Sequence, residues 1–386
     1  TIIISDNIIK SIENGYKEVS DDNIKIYDLK SKVVLPGLID FHVHMESQSG
    51  GQDRYIKRFQ DNKADIAFKS SVIAKKTLMA GFTTVRDVGG SGVNISLRNA
   101  INNGVIPGPR IFTSGKTIAT TGGHGDRTNG YRDDLVDDPG PEQGVVNSIA
   151  DARKAVRYRY KNGADLIKIT ATGGVMSLAK NGQNPQFTEE VIREIVKTAD
   201  DYGMHVAAHA HGDEGMFRAV NAGVTTIEHG SIMAERTMKL MKEKQTYLVP
   251  TISAGEHVAK MAKIPGYYPE IIIPKALEVG VQNKATTRKA YKMGVPIAFG
   301  TDAGVFPHGD NAGEFVYLKE IDIPAEYSLK SATIINAKLL NMEKLLGQLK
   351  EGFYADIIAV DESPLENIAT LENVIFVMKD GKVYKN

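Results

Sequence analysis

Eight short apolar runs, largely β-branched, lie between Ile39 and Asp302, and each is followed by a helical stretch or by a loop and a helix. The runs begin at Ile39 and continue at 82–87, 110–113, 166–170, 205–209, 225–229, 247–251 and 296–302. Between them, residues 64–80, 91–103, 148–161, 189–202, 216–221, 234–244 and 274–293 have helical spacing, and several end at a glycine suited to a left-handed cap. The runs are apolar through most of their length, as parallel strands covered on both faces must be. Eight βα units fit a closed (β/α)8 TIM barrel better than an open doubly wound sheet. The fold class predicted is therefore α/β, with the barrel over residues 36–346.

The two ends of the chain read differently. Residues 2–4, 8–12 and 24–27 are β-rich and separated by turns, and residues 355–360, 374–378 and 382–384 return to that pattern after a further helical stretch at 325–346. Neither end carries enough apolar surface for a core of its own. The expectation is one small β-sandwich built from both termini, residues 1–35 and 347–386.

Catalytic groups of such barrels sit where the strands end. The first run closes on His42-Val43-His44, two imidazoles on one strand face. The fourth carries Lys168 between two isoleucines, the fifth ends in His209, the sixth in Glu228-His229 and the eighth in Asp302. Each alone has an ordinary explanation, such as a core histidine or a turn-capping aspartate. Six such groups at one rim are a different matter, because nitrogen and oxygen donors together suit zinc-like divalent ions. The chain contains no cysteine, so thiolate ligation and disulfides are excluded. A buried ammonium among cations is unfavourable. Reaction of Lys168 with carbon dioxide would turn it into an anionic carbamate able to bridge two metals.

These motifs, in order, resemble the amidohydrolase superfamily over essentially the whole chain: Pro36-Gly37-Leu38-Ile39-Asp40-Phe41-His42-Val43-His44, Lys168, His209, His229, Gly300-Thr301-Asp302 and the tail Gly352-Phe353-Tyr354-Ala355-Asp356-Ile357. Residues 121–125, 168–175, 208–212 and 227–230 look like its imidazolonepropionase-related branch, and within it like metal-dependent dipeptidases once labelled prolidases. The resemblance implies two divalent metal ions, zinc by expectation. His42, His44 and Asp302 would hold one, His209 and His229 the other, and carbamylated Lys168 would bridge them. Asp302 would shuttle the proton. His124, in the Gly-rich loop 120–144, and His211 are expected to contact substrate, with His211 an alternative to His209 as ligand.

The implied substrate is a small peptide or an amino-acid amide, cleaved to release a C-terminal residue, Arg or Lys favoured. Cyclic amides or N-acyl amino acids are the alternative, and a non-catalytic scaffold is a third reading that the full ligand set argues against. A basic leaving residue needs an acidic reader, for which Glu256, Glu270, Asp310 and Glu314 are candidates. Arg86 and Arg127 could bind a carboxylate, although Arg86 is expected to pair with Asp87 or another strand-end acid. With 47 basic and 47 acidic residues the net charge is zero, which argues against nucleic-acid or acidic-membrane binding. No apolar run reaches membrane-spanning length. A homo-oligomer is the expected assembly, and the compartment stays open between cytoplasm and, after removal of a leader, periplasm.

Overall fold

The structure is a computed structural model and describes residues 1–48 and 50–386. An antiparallel ribbon opens the chain, β1 (Ile2–Ser5) with β2 (Ile8–Ile12). Next come β3 (Val33–Pro36) and β4 (Leu38–Val43), then α1 (Asp53–Gln60), α2 (Lys63–Met79), β5 (Phe82–Asp87), α3 (Val93–Asn102) and β6 (Arg110–Thr113). The alternation continues through α4 (Ile149–Lys161), β7 (Ile167–Thr170), α5 (Glu189–Asp200), β8 (Val206–Gly212), α6 (Asp213–Ala222), β9 (Thr226–Ile232), α7 (Glu235–Lys244) and β10 (Tyr247–Val249). It ends with α8 (Ile252–Met261), α9 (Ile273–Lys292), α10 (Gly313–Glu320), α11 (Ala325–Lys330) and α12 (Asn336–Leu339), followed by β11 (Ile357–Val360), β12 (Phe376–Lys379) and β13 (Lys382–Lys385).

Two parallel sheets, β4-β5-β6 and β7-β8-β9-β10, form most of the barrel wall. The eighth run, residues 296–302, closes one seam. Leu248 and Ile297 bridge in parallel, Phe41 N donates to Phe299 O at 3.0 Å, and Asp302 N donates to His42 O at 2.7 Å. At the other seam Asp165 N reaches Thr113 O at 2.8 Å, and Ile118 pairs with Ile169. With both edges satisfied, the sheet is the predicted (β/α)8 barrel.

Helices cover it by burying one face each. In α5 the buried positions Val191, Ile192, Ile195, Thr198 and Ala199 repeat with helical period against the β7–β8 wall. On the opposite side Phe82, Phe299 and Phe315 stack at 5.9 and 4.2 Å between centroids, each fully buried. Burial of one such ring stabilises by roughly 1.5–3 kcal/mol.

The ends of the chain meet as expected. β3 pairs antiparallel with β11, which continues through β12 to β13. One face of this sheet packs Ile357, Ala359, Phe376 and Met378 under the ribbon residues Ile2, Ile4 and Ile9. The other face turns Ile358, Val360 and Val377 toward the barrel's Leu78 and Phe82. The tight β12–β13 hairpin turns on Asp380 and Gly381, both at positive φ.

Several local expectations are corrected. Residues 24–27 form no strand, and Ile24 and Ile26 are exposed; the paired strand is β3. The helices α1, α8 and α10 form where the residue spacing predicts none. The helix expected over 325–346 breaks at a π-helical turn, Ser331–Ile335, and ends at Leu339. Directly after that turn, Asn336 is aimed inward and donates to Ile39 O and Phe299 O, both at 2.9 Å.

Candidate metal centre

β4 delivers His42 and His44 to the rim. His42 is fully buried, and its Nδ1 lies 2.7 Å from Glu228 Oε2. His44 Nδ1 lies 2.8 Å from Gly89 O. Carbonyl and carboxylate oxygens only accept, so both Nδ1 atoms carry the proton and both Nε2 atoms present a lone pair. Those two Nε2 atoms converge on Asp302 Oδ1, at 3.5 Å from His42 and 3.3 Å from His44. Neither His42 Nε2 nor Asp302 Oδ1 has a hydrogen-bond partner. Burial holds His42 well below its ordinary pKa, so this is no ion pair. With Asp302 ionised, three acceptor atoms face one another with no donor between them, an arrangement a cation would relieve, and the donor set fits a divalent metal.

His229, in the middle of β9, joins the same group; one donor atom each from His42, His229 and Asp302 lie within 4.8 Å of one another. Its Nδ1 is fixed by Thr251 Oγ1 at 2.7 Å. His209 stands on β8 with its ring 4.7 Å from that of His229, and its Nε2 donates to Gly173 O at 3.1 Å, which leaves Nδ1 for a ligand. β8 runs on past Ala208, so His211 shares the face of His209. Its ring lies 4.6 Å from His209 and 5.0 Å from His229, and Ser231 Oγ sits 2.9 Å from its Nδ1. His124 reaches in from the long loop and stacks on His209 at 4.4 Å. Burial depresses the His124 and His211 pKa values to about 3, so both are neutral at pH 7.

Lys168, on β7, is 4% exposed. Burial lowers its pKa to about 8, and Arg86 adds to that while Glu228 and Asp302 oppose it. An amine lowered this far is partly free base near neutral pH, the form that reacts with carbon dioxide. Asp302 is raised to about 7 by burial, against the pull of Lys168.

Three residues around the site carry backbone strain. His229, Thr251 and Asp302 have φ of 71°, 51° and 61°. Left-handed geometry in a β-branched threonine costs of order 1–3 kcal/mol and persists only where surrounding bonds enforce it. Here the side-chain bond from His229 to Thr251 and the backbone bond from Asp302 to His42 do so. Gly300 is needed where the eighth run presses on β4, since a Cβ there would lie 2.4 Å from Val249 Cγ1 and 3.0 Å from His42 N.

Glu228 and Asp40, given no role by the sequence, hold the site from beneath together with Arg86. Glu228 accepts from Arg86 Nη2 at 2.6 Å, from Thr226 Oγ1 and from His42. Arg86 is fully buried, donates also to Phe41 O at 2.6 Å and lies over the Phe41 ring at 3.8 Å. Its partner is thus Glu228, another of the strand-end acids expected, rather than its neighbour Asp87. Asp40 accepts from Thr301 N, Thr301 Oγ1, Asn311 Nδ2 and His42 N, which ties β4 to the eighth run. Of the carboxylates considered for a basic side chain, Glu314 is buried against the N-terminus of α8, accepting from Ile252 N, Ser253 N and Ser253 Oγ. Glu256 pairs with Lys284 at 3.1 Å, and Glu270 and Asp310 are exposed. Arg127 donates to Gly90 O at 2.7 Å.

The model of the amidohydrolase family matches residues 33–384. A Xaa-Pro dipeptidase, crystallised with methionine in its active site, superposes with a TM-score of 0.95 at 53% identity, covering 100% of this chain and 94% of that one. A prolidase in complex with N-methylphosphonate-L-proline gives 0.89 at 33% identity, again over 100% and 94%. Ochratoxinase of Aspergillus niger is 34% identical over 375 residues, 92% of this chain and 76% of that protein. With a family match running from β3 to β13 around this cluster of histidines, the chain belongs to the amidohydrolase family, whose members are hydrolases.

Proposed function

We propose that the protein is a binuclear metal-dependent dipeptidase or carboxypeptidase that cleaves an amide bond and releases a C-terminal amino acid. The observation that carries this reading is the convergence of the unpartnered acceptors His42 Nε2 and Asp302 Oδ1 with His44 Nε2 at the barrel mouth. His42, His44 and Asp302 would hold one divalent ion, zinc being favoured by the nitrogen donors. His209 and His229 would hold a second, and Lys168 as its carbamate would bridge. Ions held there would bring the pKa of water toward neutrality and polarise an amide carbonyl.

The chain's own groups supply the rest. Asp302 has its carboxylate at the centre of the cluster, where it can take a proton from the attacking water and pass it to the leaving amine. His42 and His44 keep their lone pairs forward because Glu228 and Gly89 O hold the opposite nitrogens. His124 and His211, neutral and beside the ligands, are in reach of a substrate's polar groups.

Similarity to the Xaa-Pro dipeptidase holding methionine and to the prolidase holding a proline derivative supports a neutral leaving residue such as proline or methionine. Support for Arg or Lys is weaker, because Glu314 and Glu256 are already engaged and Glu270 and Asp310 face solvent. The test is a dipeptide panel, Xaa-Pro, Xaa-Met, Xaa-Arg and Xaa-Lys, with zinc-loaded protein and detection of the free amino acid. Two bound ions and release of the C-terminal residue are expected. Metal binding with turnover of ring amides alone, or with no turnover at all, would refute the peptidase reading.

A further inference from the structure

Lys275 is a lysine in an unfavourable place. It lies in the first turn of α9, where the positive end of the helix dipole repels a cation, and it is only 6% exposed. Three backbone carbonyls offset both costs. Nζ donates to Ser177 O at 2.6 Å, Ala179 O at 2.8 Å and Gly174 O at 3.3 Å. An ammonium has three N–H donors, and all three are spent on one loop.

That loop joins β7, which carries Lys168, to α5, and it is wedged among the site histidines. Gly173 O accepts from His209 Nε2, and a Cβ on Gly174 would lie 2.2 Å from the His124 ring. Farther along, Gln186 Oε1 accepts from His124 N at 2.9 Å. The loop is folded back on itself by the Thr172–Pro185 bridge and by Asn184 O, which accepts from Gly173 N. Tyr55 of α1 also reaches it, donating to Met176 O at 3.1 Å. The charge of Lys275 lies near the same histidines: after burial and other neighbours, it helps depress His124 and His211.

We propose that Lys275 is a positioning residue: by pinning the loop after β7 it sets the place of His124, and with it the fit of substrate, without itself touching a metal. The effect on substrate rests on the hydrolase reading given above; the pinning does not.

Lys275→Met keeps the aliphatic stem and removes the donors. In the zinc-loaded full-length protein, amide hydrogen exchange should quicken in two segments far apart in sequence, around 172–186 and around 122–126, while β11 and β12 stay protected. Metal content should stay at the wild-type value. KM should rise about tenfold with kcat changed less than about threefold, the pattern of lost ground-state positioning. Lys275→Arg should recover part of both readouts, and Tyr55→Phe should loosen 172–186 in the same direction. Unchanged exchange in both segments of Lys275→Met would overturn the pinning. A loosened loop with wild-type KM would overturn the link to substrate. Should Lys275→Met fail to fold, exchange and KM in Tyr55→Phe and Lys275→Arg decide by the same criteria. If wild-type protein hydrolysed no amide, the proposed function would fail while the exchange measurement still decided the role of Lys275.

Discussion

Glu228 has two jobs that one substitution should disturb and a pair of substitutions should separate. It neutralises Arg86 in the fully buried floor of the site, and it accepts the Nδ1 proton of His42 at 2.7 Å. Glu228→Gln keeps the shape and removes the charge, so Arg86 is left as an uncompensated buried cation. Breaking a buried pair in this way costs about 3–5 kcal/mol. Unfolding entropy of about 2.1 cal/mol/K per residue amounts to about 0.8 kcal/mol/K for 386 residues, so the melting temperature should fall by roughly 4–6 °C. Loss of the carboxylate behind a ligating histidine should weaken metal affinity about 10–100-fold. In the double variant Arg86→Met/Glu228→Leu the buried charges vanish together. Its stability should return to within about 1 kcal/mol of wild type, since apolar replacements of buried pairs are often neutral or better. Its metal affinity should stay low, because His42 has lost its partner. Differential scanning calorimetry of metal-free protein and competition titration with a chromogenic chelator read the two quantities. A double variant with wild-type metal affinity would refute the role given to Glu228 behind His42, and a single variant with wild-type stability would refute the ion-pair account.

Lys168→Ala should lose the bridge: elemental analysis should find fewer than two ions, and turnover should fall at least about hundredfold, beyond the range of outer partners. Added formate or acetate should restore part of it, whereas full activity without a carboxylate would exclude the carbamate. Metal-free protein should be acid-labile. All nine histidines are depressed by burial, His44 and His308 to about 4 and His124, His205 and His211 to about 3. A depressed histidine binds fewer protons folded than unfolded, so stability is lost as pH falls below 6.5. Asp40, raised to about 6, and Asp87, Asp302 and Glu314, raised to about 7, act oppositely between pH 7 and 4, but they are fewer and stop compensating below about 4. The melting temperature should therefore decline below pH 6.5 and drop more steeply below 4; a flat profile down to pH 3 would contradict these burials. Saturating zinc should raise the melting temperature by about 3 °C per site at a hundredfold excess over Kd, some 2.7 kcal/mol, and chelator should reverse it.

The barrel and its rim were legible because both are written in short-range patterns. Apolar runs with glycine-ended helices between them specify parallel βα units, and a polar residue at the end of such a run has one place to go. His42, His44, Lys168, His209, His229 and Asp302 were chosen this way, since strand period is a local property, and the structure brings one donor atom each of His42, His229 and Asp302 within 4.8 Å of one another. The missed helices α1, α8 and α10 lie in loops whose form is set by what they cap and cover. Glu314, for example, serves α8 across more than fifty residues of sequence.

Which nitrogen each histidine presents was beyond any local pattern. That depends on Glu228 and Thr251 from neighbouring strands and on the carbonyls of Gly89 and Gly173, contacts that exist only once the barrel has closed. The same holds for Arg86, whose nearest acid in sequence is Asp87 but whose partner stands across the barrel floor, and for Lys275, which looks like a solvated helix lysine until a distant loop folds over it. Sequence alone determined that strands and helices alternate into a barrel and which strands carry the candidate ligands, because apolar runs and helical spacing are local patterns. Tertiary structure decided their tautomers, charges and aim, because hydrogen bonds and burial are properties of neighbours brought together from far along the chain.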